Sequence, residues 1–240
     1  MTHETKGRSP FYPMQPVPVE LFVGRGDQIR HIMQRAAGQV ALGKPIAVYI
    51  SGEYGIGKSS LARYVQLSAE REYGLLGIYA TLGGVGNLDD VGAAILGATV
   101  QSGTLLPKAG EHIRNWLARY VGDQSVFGIT LKASALKQDG RNIAQGPLPF
   151  LREVYEKAHA AGVKGIFLVM DEINGIASQP LFAHFLKDIV DSNALSRSPV
   201  PLLLMLCGTE ERRRQIITNH IPVERIFDVV PIEPLGDQEI

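Results

Sequence analysis

A chain of 240 residues with 45% hydrophobic and 20% charged side chains carries enough apolar matter for a substantial core, about one to one and a half domains. Its 24 Lys and Arg offset its 24 Asp and Glu, so no net field draws the whole molecule to nucleic acid or to an acidic surface, and only local patches stay open. Cys207 stands alone, which excludes an intrachain disulfide and a cysteine-based zinc cluster; the first 20 residues hold no signal-like apolar stretch, and the longest apolar run, Val200 to Cys207 broken by Pro201, is too short for a bilayer, so a cytoplasmic protein without membrane association is expected.

In chain order, Pro10, Pro13, Pro16 and Pro18 predict an extended, partly polyproline-II lead-in over residues 1–20. Asp27 to Leu42 places Ile29, Ile32, Met33, Ala36 and Val40 at helical spacing, a helix expected to pack on a sheet. Pro45 to Ile50 reads as a short buried strand, and Ser59 to Leu67 as a helix with Leu61, Tyr64 and Val65 on one side. Between strand and helix stands SGEYGIGKSS, in which Gly52, four residues, Gly57, Lys58 and Ser59 make the phosphate-binding loop pattern.

The chemistry explains the residue types. Glycines permit positive φ and close backbone approach, so successive N–H groups can face an anion, and the helix N-terminus adds partial positive charge at the same spot. Gly52, Glu53, Tyr54, Gly55, Ile56, Gly57, Lys58, Ser59 and Ser60 are therefore candidate nucleotide contacts. Lys58 would reach the β- and γ-phosphates, and the Ser59 hydroxyl would ligate Mg²⁺. A glycine-rich turn with a solvated lysine is the plain alternative, and the strand before and helix after it argue against that.

Leu75 to Leu82 reads as the second strand; Asp89 to Gln101 and Glu111 to Val121 read as helices, with Pro107 and glycines breaking the region between them. Phe127 to Ala133 has a period of two, as in a small hairpin or edge strand, Leu136 to Gln145 reads as a polar loop, and Pro149 to Ala161 as a helix. Gly165 to Met170 is a continuous apolar run, the mark of a strand covered on both faces, and it ends in Asp171 and Glu172. Ligands of open parallel sheets gather at the carboxyl ends of the strands, so this acidic pair should face the same crevice as the loop. There Asp171 could hold the Mg²⁺ shell through water and Glu172 could polarise an attacking water; an acidic turn capping the next helix is the alternative.

Pro180 to Val190 puts Leu181, Phe182, Phe185, Leu186, Ile189 and Val190 along one face, a core face or a partner groove, while His184 reads as a surface residue because no second metal-spaced ligand accompanies it. A strand near 202–207 leads to Gly208 and Thr209, where Thr209 either senses the γ-phosphate or caps the helix that follows. Arg212, Arg213 and Arg214 are a solvated charged face or a phosphate-contact patch. A last strand is expected near 229–232.

The two motifs resemble a Walker A (Gly52 to Ser59) and a Walker B with an adjacent glutamate (Asp171, Glu172), the combination of the additional-strand P-loop ATPases. Leu21 to Arg25, LFVGR, resembles the box beside the adenine in AAA+ and STAND ATPases, which implicates Gly24 and Arg25 in cofactor binding. The strand ending in Gly208 and Thr209, and the segment around Arg225 followed by Val229 to Ile232 and Pro234-Leu235, resemble the sensor strand, the arginine-bearing segment and the lead into the lid. The arrangement is most similar to origin-recognition initiators, transposon target-selection ATPases and archaeal-type STAND ATPases.

The order of elements predicts an α/β protein, a three-layer α/β/α sandwich, and the resemblance implies a parallel five-stranded sheet in the order 5-1-4-3-2. It implies an ATPase core over residues 21–240 with an elaboration at about 84–147, a helical lid absent or truncated after 235, and ATP and Mg²⁺ as cofactors. Glu172, Lys58, Thr209 and Arg225 are the implied catalytic set, Arg225 being either a finger acting on a neighbour or a plain surface or intramolecular salt-bridge arginine. Copies are expected to associate on ATP binding and to act on a DNA or protein partner; a STAND-like switch with slow turnover is the alternative, and a small-molecule kinase a weaker one.

Overall fold

The computed structural model describes residues 22–121 and 147–235. The expectations for residues 1–20, for the hairpin at 127–133, for the loop at 136–145 and for the chain after 235 fall outside these residues.

Five strands form one parallel sheet: β1 (Ile46–Ser51), β2 (Leu75–Thr81), β3 (Gly165–Asp171), β4 (Leu202–Gly208) and β5 (Asp228–Pro231), in the order β2-β3-β4-β1-β5. Read from the other edge this is the expected 5-1-4-3-2. The interior strands β3 and β4 are buried at every residue, because a parallel sheet carries helices on both faces and its middle strands never meet water. Edge strand β5 buries only Val230.

Alternation along the strands feeds two separate cores. One face sends Val48, Ile50, Phe167, Val169, Leu203 and Met205 towards α1 (Gly26–His31), α2 (Gly38–Ala41) and α3 (Lys58–Tyr73). The opposite face sends Tyr49, Ile78, Leu168, Met170, Leu204 and Leu206 towards α4 (Leu88–Val100), α5 (Pro107–Val121), α6 (Pro147–His159), α7 (Pro180–Ala194) and α8 (Glu210–Asn219). Helix, sheet and helix layers follow. Among the described residues no helix is long and apolar enough to cross a membrane.

Three expectations change in detail. The helix expected over 27–42 contains a π-helical stretch, Ile32–Ala37, between α1 and α2; its wider turn brings Ala36 and Ala37 into the core together with Ile32 and Val40. Pro107 opens α5 instead of breaking the chain, since the first helical position needs no N–H partner and favours the fixed φ of proline. Leu181 is 67% exposed, so it leaves the apolar face that Phe182, Leu186 and Ile189 do bury; it sits at the first turn of α7. His184 is exposed, its ring 4.3 Å from that of His220.

The arginine run lies on α8 and is engaged from within the helix: Arg213 donates twice to Glu210 at 2.8 Å, Arg214 donates to Glu210 at 3.4 Å, and Arg212 donates to Gln215 at 2.9 Å and lies 3.8 Å from Glu211. These half-exposed pairs keep the face solvated and contribute little to stability, about 0–1 kcal/mol each. They leave the phosphate-contact reading of this run without support.

Candidate nucleotide site

A cleft of about 500 Å³ opens at the carboxyl ends of the strands, lined from β1 by the loop and α3 (Tyr54, Gly55, Gly57, Lys58, Ser59, Ser60), from β2 by Tyr79 and Thr81, from β3 by Asp171, Glu172 and Asn174, and from β4 by Cys207, Gly208 and Thr209. The parallel topology brings these four strand ends to one rim.

The loop is shaped by its glycines. Gly55 and Gly57 hold φ of 74° and 100°, left-handed values that a side chain would strain. Gly57 is the N-cap of α3 and brings no side chain to the first turn, at the positive end of the helix. Lys58 folds back over the loop: its Nζ donates to the carbonyls of Gly52 at 2.9 Å and Glu53 at 2.7 Å, and lies 5.7 Å from the centre of the Tyr54 ring. Burial lowers the Lys58 pKa, opposed by Cys207, Asp171 and Glu53 nearby. Tyr54, 64% exposed, reaches across the mouth of the cleft and donates to Asn174 Oδ1 at 3.1 Å.

Gly52, Glu53 and Ile56 do not line the cleft. They form the back of the loop, their carbonyls turned to Lys58 and, for Ile56, to Arg25 Nη2 at 3.3 Å. Gly24 and Arg25 also lie outside the lining. Arg25 is 6% exposed with φ of 62°, and its other guanidinium nitrogen donates to the Glu233 carbonyl, so it ties the loop to the segment after β5.

On the opposite wall Asp171 is 4% exposed and held at both oxygens: the Glu172 N–H donates to Oδ1 at 2.9 Å and the Tyr79 hydroxyl to Oδ2 at 2.6 Å. Burial pushes the Tyr79 phenol far up, with Asp171 adding to it, so the hydroxyl stays a donor. The Cys207 thiol beneath is likewise pushed up by burial and by Asp171. Glu172 is exposed, with a left-handed φ of 55°. Its carboxylate occupies the place of a missing side chain at Gly83, where a Cβ would stand 2.3 Å from Oε2.

Thr209 both lines the cleft and caps α8, its hydroxyl accepting from the Arg212 N–H at 3.3 Å, while its carbonyl accepts from the buried Tyr49 hydroxyl at 2.9 Å. Arg225 sits apart, exposed on a 3₁₀ turn (Ile221–Arg225) and without a hydrogen-bond or ion-pair partner among the described residues. Sequence reasoning missed Tyr79, Thr81, Asn174, Cys207 and Gly208 as lining residues. The available signal was positional: each lies within three residues of the carboxyl end of a strand in the same sheet as the motif residues.

Ser59 and Asp171 offer one hydroxyl and one carboxylate, hard oxygen donors on facing walls, which fits a Mg²⁺ ion that keeps waters and takes phosphate oxygens. Among the described residues no group of three or more His, Cys, Asp or Glu could hold a metal unaided.

The sequence profile of the AAA ATPase domain matches residues 21–205. Among solved structures, the fold is similar to Cdc6p from Pyrobaculum aerophilum, with a TM-score of 0.56, 13% identity, and coverage of 94% of this chain and 49% of that one. A Walker-type ATPase of Pyrococcus abyssi (TM-score 0.48, 17% identity, 94% of this chain and 58% of that one) and the ORC2 protein of Aeropyrum pernix in ADPNP–ADP complexes (0.45, 17%, 92% and 52%) are also similar. The chain spans about half the length of the solved structures it matches first. No curated protein matches the sequence. With a profile that covers most of the chain and a sheet whose strand order is that of the P-loop fold, the chain belongs to the AAA ATPase domain family.

Proposed function

We propose that the chain binds Mg-ATP in this cleft and hydrolyses it, coupling turnover to the assembly of copies and to the remodelling of a DNA or protein partner in the cytoplasm. The observation that carries the reading is the pairing of Lys58 and the amide-rich loop on one wall with Asp171 and Glu172 on the other.

Amides of the loop and the first turn of α3 take the phosphate oxygens, and Lys58 exchanges its loop carbonyls for the β- and γ-phosphates. Ser59 and Asp171 would hold Mg²⁺, which would supply charge neutralisation to the phosphate oxygens. Glu172 takes the proton of the water that attacks the γ-phosphorus as the bond to ADP breaks, and Thr209 orients that water or the γ-phosphate. Gly24 and Arg25 shape the base end of the site through the back of the loop. Arg225, exposed on its 3₁₀ turn, serves a neighbouring copy in the assembled form.

One dilution series tests the whole reading, with mass, Mg-ATP uptake and phosphate release measured for wild type, Lys58→Ala and Arg225→Ala. Wild type takes up Mg-ATP, and its specific rate rises with protein concentration. Removing the Lys58 ammonium weakens uptake roughly 10- to 100-fold, the worth of a charge-assisted hydrogen bond. R225A binds as tightly as wild type but loses the concentration-dependent turnover. Folded wild-type protein that takes up no Mg-ATP refutes the binding reading, and R225A turning over as wild type refutes the assembly reading.

A further inference from the structure

Asp171 is anchored at both of its oxygens, with the Cys207 thiol a further neighbour. Oδ1 is fixed by the backbone N–H of the next residue, a bond local to the chain, whereas Oδ2 is fixed by a side chain from a different strand, the Tyr79 hydroxyl at 2.6 Å. Each carboxylate oxygen has two lone pairs, so both anchors leave capacity towards the cleft. The same hydroxyl lies 3.4 Å from the Ser59 carbonyl, so one phenol touches both walls at the two residues whose oxygens suit a divalent ion.

Tyr79 is itself held. The Arg63 guanidinium sits 5.8 Å from its ring centre, and Arg63 donates to Gln66 one turn further along α3 at 2.7 Å. Tyr79 stands opposite Val169 in the sheet register, two residues before the Thr81–Asp171 pair, so its ring runs along the strand end towards the cleft. A carboxylate free to turn about its last bond would lose the orientation that a metal-bound water needs; one pinned at both oxygens keeps it.

We propose that Tyr79 is a positioning residue for the divalent ion: it holds the Asp171 carboxylate in the orientation towards Ser59 that couples metal binding to nucleotide binding. This rests on the Mg-ATP reading of the cleft.

The test measures the affinity of the full chain for a fluorescent ATP analogue in EDTA and across a titration of free Mg²⁺, for wild type, Tyr79→Phe, Asp171→Asn and the double variant. Y79F keeps the ring and removes only the hydroxyl. Its affinity in EDTA stays within roughly twofold of wild type while its half-saturating Mg²⁺ rises roughly tenfold or more, the usual consequence of losing an outer-shell partner. The double variant shows the same metal dependence as D171N alone, because the hydroxyl acts only through that carboxylate.

A Y79F metal requirement equal to wild type overturns the proposal. So does an equal loss with and without metal, which would mark general loosening of the cleft, or losses that multiply in the double variant. If wild type binds no nucleotide, the Mg-ATP reading falls with it; if wild type shows metal-tightened uptake and Y79F matches it, only the role of Tyr79 falls.

Discussion

Gly52 is the first residue past β1, and a single methyl group there tests how the loop is seated. A Cβ at this position would stand 2.9 Å from the Ile232 carbonyl oxygen, 2.9 Å from Ile56 Cγ2 and 3.3 Å from Ile232 Cβ. The Ile56 methyl can swing aside. Ile232 cannot, because it is 4% exposed and its N–H donates to the Ser51 carbonyl at 2.7 Å, which pins the end of β5 against β1. Gly52→Ala must therefore push an edge strand outward by several tenths of an ångström, an overpacking of about 1–3 kcal/mol. At about 2–4 °C per kcal/mol for a chain of this size, the melting temperature falls by about 2–12 °C. Gly26→Ala is the control: nothing lies within 4 Å of the added methyl and φ is ordinary, so its melting point stays level or rises slightly. Thermal melts with and without Mg-ATP read both effects, and G52A also shows a smaller nucleotide-induced rise because the displaced Ile56 belongs to the loop. G52A melting with G26A, or raised equally by Mg-ATP, refutes the reasoning.

Arg25 combines a left-handed φ of 62° with donation to the carbonyls of Ile56 and Glu233, so two substitutions separate strain from bonding. Both Arg25→Ala and Arg25→Gly lose the bonds, worth about 1.5–3 kcal/mol for a charged donor, but only R25G sheds the backbone strain, about 1 kcal/mol. Melting temperatures then fall in the order wild type, R25G, R25A, and the two variants in reverse order would contradict this account. Glu70, 2% exposed, accepts from the Gly77 N–H at 2.8 Å, and burial raises its pKa against that bond and against the Leu105 N–H and Arg63. The folded state thus keeps a proton that the unfolded chain releases, so stability is greatest below the ordinary glutamate range and declines as pH rises through the raised value. Urea midpoints of wild type fall across that window and those of Glu70→Gln stay flatter; parallel slopes would exclude Glu70 as the source.

What could be read in advance follows from which physical signals are local. Gly165 to Met170 announces a doubly covered strand because every residue must be apolar, and the glycines before Lys58 announce a turn because no other residue takes those backbone angles so readily. The arrangement of the site depends instead on partners far apart in sequence. Tyr79 looks like an ordinary strand aromatic until β2 is laid beside β3, and only then does its hydroxyl meet Asp171. The tie from Arg25 to the Glu233 carbonyl is likewise invisible until the segment after β5 returns beside the loop. Gly77 carried a signal that went unused: a glycine inside a strand marks close approach, and here the side chains of Gln66 and Glu70 fill the space, with a built Cβ only 2.0 Å and 2.5 Å from them.

Cations near and far in sequence set how the backbone of the loop is polarised. Three of its carbonyls are taken by cations from outside the loop's own backbone: Gly52 and Glu53 by the Lys58 ammonium, Ile56 by the Arg25 guanidinium. All described peptides are trans, so each engaged carbonyl turns the following N–H, those of Glu53, Tyr54 and Gly57, the opposite way. The two cations thus sort the dipoles of the loop, oxygens gathered towards positive charge and amides left facing away from it. A glycine-rich turn without them could pair its own amides and carbonyls and lose that polarity. On this account the glycines permit the cradle, while Lys58 and Arg25 decide which way it faces, and Arg25 does so without touching the cleft.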